Sequence, residues 1–324
     1  MKLVLPVLIV QHTRHEHPAA IRRALESQGV ETLWLHPYKG EPYPTVTEIS
    51  GMISLGGPMG ANDHAEHPWI TQECALLRSC VEAGLPTVGI CLGGQMLAKA
   101  LGAAVKKNST AEVGWFPIEL NAAGKADPII GAAGETPLVY HWHHDTFDLP
   151  GNAERLAHSS ACPNQAFRIG QNAYGFQFHP EADHQLVHEW LDLEGVQEEI
   201  TDTQKIYGEK TVQGADQQRT EAAKGERASL QITASLCQLF RKSDYVAVES
   251  SIRDRYKEWA KQKTALLMEF KGPHGKKHRV SGHISKILNL PKGEFLIFRS
   301  SDSLLWPVRM DNVFQIKLAK QVLK

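Results

Sequence analysis

The sequence predicts an α/β protein that carries a smaller β domain in its C-terminal part, and three observations lead there. Short apolar runs alternate with amphipathic segments over the first two-thirds of the chain. Closely spaced strand-like runs replace that alternation after about residue 241. The sign of the charge reverses between the two regions. At 324 residues the chain suits two domains better than one. An apolar share of 42% and a charged share of 22% are ordinary globular usage, which excludes a disordered or collagen-like chain.

The first apolar run, Leu3–Val10, is far too short to span a membrane. It lacks a small-residue cleavage site and leads into polar Gln11–His17, so it reads as a buried strand rather than a signal peptide. Pro18–Gln28 reads as a helix, with Pro18 in its first turn, Ile21, Ala24 and Leu25 on one face, and Gly29 just past its end. Thr32–Leu35 and Met52–Leu55 read as strands. Pro68–Ala83 carries Trp69, Ile70, Cys74, Leu77 and Val81 at helical spacing, followed by a strand at Pro86–Ile90 and a helix at Gly93–Leu101. Strands that alternate with helices imply a parallel sheet covered on both faces.

The pattern then changes. Glu112–Leu120, Leu138–Trp142, Arg155–His158, Gln165–Ile169 and Ala173–Phe178 read as strands divided by Gly, Pro and Asn turns, and Asp183–Leu193 as a helix. Gln197–Glu226 is polar, and Leu230–Phe240 reads as a closing helix. The domain boundary falls near Arg241–Asp244, giving domains of residues 1–242 and 243–324. Past it a helix is expected at Ile252–Gln262. Strands are expected at Ala265–Phe270, His278–Ile287, Glu294–Arg299, Ser303–Val308 and Val313–Leu318, a set that fits a small β-barrel.

Net charge is −1, yet residues 1–240 hold 17 Lys and Arg against 28 Asp and Glu, whereas residues 241–324 hold 18 against 8. An acidic body and a basic tail point to different partners, and a nucleic-acid or acidic-protein surface stands against a merely solvated basic face. Five cysteines, an odd count with no CxxC pair, argue against a disulfide framework and for a soluble chain in the reducing cytoplasm. Cys74 and Cys80 on a helix, Cys162 in a loop and Cys237 in the closing helix read as packing residues.

Cys91 is different. In Val88-Gly-Ile-Cys91-Leu-Gly-Gly-Gln95 a buried strand ends at a cysteine and glycines flank it before a helix begins. That is the strand-turn-helix elbow that presents a nucleophile at the edge of a parallel sheet. A helix N-terminus favours negative charge, and a cysteine thiolate there can attack a carbonyl to give a thioester. Phe178-His179-Pro180-Glu181 follows another strand and supplies a base, His179, with an orienting carboxylate, Glu181. Leu55-Gly-Gly-Pro-Met-Gly60 is a glycine loop whose Gly57 N–H, with that of Leu92, can form an oxyanion hole.

Gly56-Gly57-Pro58, Gly89-Ile-Cys91-Leu-Gly93-Gly-Gln95 and His179-Pro180-Glu181 together resemble the class I (triad) glutamine amidotransferases over roughly Leu3–Phe240. The resemblance looks closest to the glutaminase domain of GMP synthases. It implies a flavodoxin-like doubly wound sheet and hydrolysis of the glutamine side-chain amide through a γ-glutamyl thioester, with release of ammonia and no cofactor. It makes Cys91 the nucleophile, His179 the base and Glu181 its orienter. Gln95 then holds the substrate's amino-acid end, and the segment from His141, Trp142 and His143 to Asp145 lines the glutamine pocket. No serine-glycine phosphate loop follows His179, so either a separate synthetase takes the ammonia or the chain simply hydrolyses glutamine or another γ-glutamyl amide.

His141, His143, His144 and Asp145 also offer a ligand set for zinc. A pocket wall is favoured over it, because no Cys or Glu completes the set. His12, His15 and His17 read as loop residues at the active edge of the sheet. In the tail, Asp244–Leu318, with Glu258-Trp259-Ala260 and Trp306-Pro-Val-Arg309-Met-Asp311, is similar to the Rho-binding antiterminator proteins, which are Sm-like barrels. Those lean acidic, whereas this tail is basic, with Lys271, Lys276, Lys277, His278 and Arg279 clustered. That charge shifts the expected partner from Rho toward RNA or an acidic protein surface.

Overall fold

Four fully buried tetrapeptides and their neighbours build the centre of the first part of the molecule. In the computed structural model the described residues are 5–46, 48–240, 266–271, 277–290, 293–300, 305–309 and 313–318. The chain divides into two compact units, residues 1–241 and 242–324.

In the first unit, β1 (Val7–Val10), β2 (Thr32–Leu35), β3 (Gly51–Ser54), β4 (Thr87–Ile90) and β10 (Ala173–Phe176) run parallel in the order β2-β1-β3-β4-β10. β9 (Ala166–Ile169), β8 (Glu154–His158) and β6 (Glu119–Leu120) extend the sheet antiparallel beyond β10. β1, β3, β4 and β10 are buried at every position, as strands covered on both faces must be. Two apolar clusters lie against the sheet, one around Ile9, Ile53, Val88 and Phe176, the other around Leu8, Met52, Leu77 and Met96. This is the covered parallel sheet the alternation implied and the doubly wound α/β arrangement the resemblance implied.

The helices in this unit are α1 (Ala19–Ser27), α2 (Trp69–Glu82), α3 (Leu92–Ala100), α4 (Ala122–Ala126), α5 (His184–Leu191), α6 (Val196–Tyr207) and α7 (Ala215–Cys237). α3 is buried at every position but Lys99, as expected for a helix that is apolar all round. β5 (Val105–Pro117) and β7 (Leu138–Phe147) form a separate antiparallel ribbon, with a register shift between Lys107 and Glu112.

Two helices depart from the sequence reading. The polar stretch 197–226 contains α6 and half of α7, and the closing helix starts at Ala215 rather than Leu230. The buried face of α7 includes Gln218, Ala222, Gly225, Ser229, Ile232, Thr233 and Leu236. A Cβ on Gly225 would sit 2.1 Å from the Trp115 ring, so close approach there adds to the packing of Ile232 and Leu236.

In the second unit β11 (Leu266–Lys271), β12 (Lys277–Leu290), β13 (Gly293–Ser300), β14 (Leu305–Arg309) and β15 (Val313–Leu318) form one antiparallel sheet in the order β14-β13-β12-β11-β15. Among the described residues the element is a five-stranded antiparallel sheet with β14 and β15 as its outer strands. The expected helix Ile252–Gln262, and Lys276, Trp259 and Asp311, lie outside the described residues. Among the described residues no helix is long and apolar enough to cross a membrane.

Candidate active site

β4 ends at Ile90, and α3 begins at Leu92, so Cys91 alone makes the turn. Its backbone sits at φ 51°, ψ −108°, the left-handed side that a residue with a Cβ rarely adopts. The Cys91 N–H donates to the Phe176 carbonyl at 2.8 Å, and Gly93 N–H to Leu55 at 3.1 Å, so the chain segments of β10 and β3 hold the elbow from both sides. A Cβ on Gly93 would lie 2.2 Å from the Ser54 carbonyl oxygen, and one on Gly89 2.3 Å from that of Gly93. These glycines are required by contact, not by composition.

The second limb leaves β10 at Phe176. His179 donates its backbone N–H to the Tyr140 carbonyl of β7 at 2.8 Å, which fixes where its ring emerges. Its Nδ1 donates to Glu181 Oε1 at 2.8 Å, leaving Nε2 for the cavity side. Both side chains are 2% exposed. Burial works against a charged imidazole, but the Glu181 carboxylate and the Cys91 sulfur outweigh it and hold the His179 pKa well above the usual histidine range. The Trp190 ring meets the imidazole edge-on at 5.1 Å, and Thr233 donates to the Pro180 carbonyl at 2.6 Å to brace the turn.

A cavity of about 670 Å³ opens over these groups, and Cys91, Gly57, Leu92, Gln95, Trp142 and His179 are among its walls. The thiol points to the Trp142 carbonyl at 3.6 Å, and Gln177 donates to the sulfur at 3.8 Å. Gln95 donates to Gln177 at 3.3 Å and stays 4% exposed. Leu92 opens α3, where the first N–H groups have no partner within the helix. His143 also reaches the cavity wall. His141 does not line it. Its ring is fully buried behind the ribbon, packed near Phe116 and Phe178.

Of the three early histidines, His15 lines the cavity, His17 pairs with Glu189 at 2.8 Å on the surface, and His12 is fully buried rather than in an exposed loop. Cys80 and Cys237 fit a packing role, since burial pushes each thiol up to about 12.

The sequence does not single out Glu16, Glu112, Gln177 or Trp190. Glu16 stands in the cavity wall with its Oε2 buried and unpaired, and burial pushes its pKa above the ordinary carboxylate value. Nothing local in the sequence marks these four, because tertiary packing alone brings them to the site.

Glu112 is the carboxylate that the histidine cluster lacks in the sequence. It sits opposite His143 in the β5–β7 register, and its ligand atoms with those of His141 and His143 lie within 4.8 Å of one another, a geometry able to hold a metal. The same carboxylate also belongs to a hydrogen-bonded network. Glu112 accepts from Ser159 at 2.7 Å and Gln165 at 2.6 Å, and lies 2.9 Å from His143 Nε2. Despite burial, His141 and His143 hold the Glu112 pKa down to about 2.

Comparison with known proteins identifies the family. Residues 14–196 match the family model for class-I glutamine amidotransferases. The glutamine amidotransferase-like protein YfeJ of Salmonella typhimurium is 35% identical over 202 residues, covering 61% of this chain and 84% of YfeJ. A glutamine-hydrolyzing GMP synthase chain from Natronomonas pharaonis, one of that enzyme's subunits, is 29% identical over 177 residues, covering 54% of this chain and 84% of the relative. A crystal structure of a glutamine amidotransferase from Methylobacillus flagellatus superposes with a TM-score of 0.68 at 28% identity, over 74% of this chain and 94% of the other. With a model match over more than half its length, this chain belongs to the class-I glutamine amidotransferase family.

Proposed function

We propose that the first unit hydrolyses the side-chain amide of glutamine through a γ-glutamyl thioester on Cys91. One observation carries the reading: a cysteine on a strained strand-to-helix turn shares a cavity with a histidine whose far nitrogen is held by a buried carboxylate. In this reading His179 Nε2 takes the thiol proton as the sulfur attacks the amide carbon. The Gly57 and Leu92 N–H groups stabilise the oxyanion that forms. His179 then returns the proton to the leaving nitrogen, the C–N bond breaks and ammonia departs. A water molecule, activated by the same imidazole, attacks the thioester to release glutamate and restore the thiol. Gln95, with Trp142 and His143 of the ribbon, holds the amino-acid end of the substrate.

Relatives that are single subunits of GMP synthases support a separate synthetase as the ammonia acceptor. A second reading, hydrolysis of another γ-glutamyl amide, uses the same Cys91 thioester chemistry. Ammonia release from glutamine and from γ-glutamyl amides, by the wild type and by Cys91→Ala, tests both. For the second unit, a surplus of positive charge supports RNA binding by an Sm-like domain, with a Rho-like protein as the other occupant.

A further inference from the structure

Beneath the Gly56–Gly57 loop lies a buried polar group that the chemistry above leaves unused. His12 lies just past β1 and Glu73 stands on α2, and both side chains are 0% exposed. His12 Nδ1 is 2.9 Å from the Gly56 carbonyl oxygen, and Nε2 is 3.1 Å from each oxygen of Glu73. A carbonyl oxygen only accepts, so Nδ1 carries a proton. The Glu73 carboxylate also accepts from the Ser54 hydroxyl at 2.6 Å and the Tyr43 hydroxyl at 2.6 Å. Such a carboxylate is held ionised, so Nε2 carries a proton as well. The ring is an imidazolium, and Trp69 stacks on it at 5.1 Å with 17° between planes.

Burial alone would lower the His12 pKa, but Glu73 outweighs it and raises it. An ion pair shut away from water is a poor source of stability. Its location suggests another use. The Gly56 carbonyl and the Gly57 N–H belong to one peptide unit. A cationic donor on that oxygen draws electron density from the nitrogen and makes the N–H a stronger donor. A Cβ on Gly57 would lie 2.9 Å from Leu92 Cδ2 and 3.1 Å from His12 Cβ, so the loop is seated between the elbow and this ring.

We propose that His12, charged by Glu73, is a positioning residue that orients and polarises the Gly56–Gly57 peptide, so that Gly57 N–H stabilises the oxyanion formed at Cys91. The inference rests on the reading of Cys91 as nucleophile and Gly57 as oxyanion donor. It adds a charge that acts through the peptide without touching substrate.

The test uses the full chain and two electrophiles for Cys91. A glutamine-like chloroketone reacts through a tetrahedral oxyanion, whereas iodoacetamide alkylates sulfur without forming one. In His12→Gln, and in Glu73→Gln as a second variant, the maximal chloroketone rate is expected to fall about tenfold or more. Half-saturation and the iodoacetamide rate should stay within about twofold of wild type. Nitrogen-15 NMR of the wild type should show both His12 nitrogens protonated at neutral pH. Unchanged chloroketone rates in both variants, a parallel loss with iodoacetamide, or a singly protonated His12 would overturn the inference. A wild type labelled by neither reagent would overturn the reading of Cys91 itself, which is a distinguishable result.

Discussion

The Tyr140 carbonyl accepts the His179 backbone N–H at 2.8 Å, while the Tyr140 hydroxyl donates to Gln218 of α7 at 2.6 Å. One fully buried residue thus ties the histidine limb, through its backbone, to the long C-terminal helix of the first unit, through its hydroxyl. Tyr140→Phe strands the Gln218 oxygen in the interior. A loss of about 1–3 kcal/mol is expected in urea unfolding.

Gly93→Ala tests the elbow from its crowded side. The added methyl would meet the Ser54 carbonyl oxygen at 2.2 Å and its hydroxyl at 2.5 Å. Overpacking of this kind costs about 1–3 kcal/mol. Thermal denaturation should register that loss, and iodoacetamide labelling of Cys91 should slow as the turn shifts. A variant of wild-type stability and labelling rate would mean the contact relaxes freely.

Acid sensitivity should come partly from His141. Burial lowers its pKa to about 4, so the folded ring stays neutral where the unfolded one, near 6.5, takes a proton. Between those values the unfolded state binds the extra proton and stability falls as pH falls, by about 1.4 kcal/mol per pH unit. Glu112, held down to about 2, adds a further loss below its unfolded value of 4.5, where its folded-state ionisation is a source of stability. His141→Gln should flatten the slope between pH 6.5 and 4 and weaken the lower limb, because His141 helps hold the Glu112 pKa down. Urea midpoints measured across that range check it; an unchanged slope would assign the acid loss elsewhere.

The contrast between α3 and α7 explains what the sequence can reveal. The sheet and the elbow are legible because their signals are local. Thr32–Leu35 and Val313–Leu318 have their expected limits. The Gly89, Cys91 and Gly93 spacing is the print of a turn that needs glycines where backbones touch. The first half of α7 escapes a reading by hydropathy because its buried residues are Gln218, Ala222 and Gly225, polar or small side chains among charged neighbours. His12 escapes it for a related reason. Its burial depends on Glu73, Ser54 and Tyr43, distant in the chain, and no local pattern announces such a pairing. Glu112 completes the histidine network only through the β5–β7 register.

RNA binding by the second unit predicts a steep fall in the full chain's affinity for single-stranded RNA as salt rises. Replacing Lys277 and Arg279, on β12 across from β11, should weaken binding and reduce that slope. A flat salt dependence, or no binding, would leave a protein partner as the occupant.

The most direct measurement is labelling of the wild-type chain by a glutamine-analogue electrophile, followed by mass mapping of the modified residue, beside ammonia release from glutamine. The account predicts that Cys91 carries the label, that glutamine protects it, and that Cys91→Ala abolishes both labelling and release. Ammonia release by Cys91→Ala at the wild-type rate would contradict it.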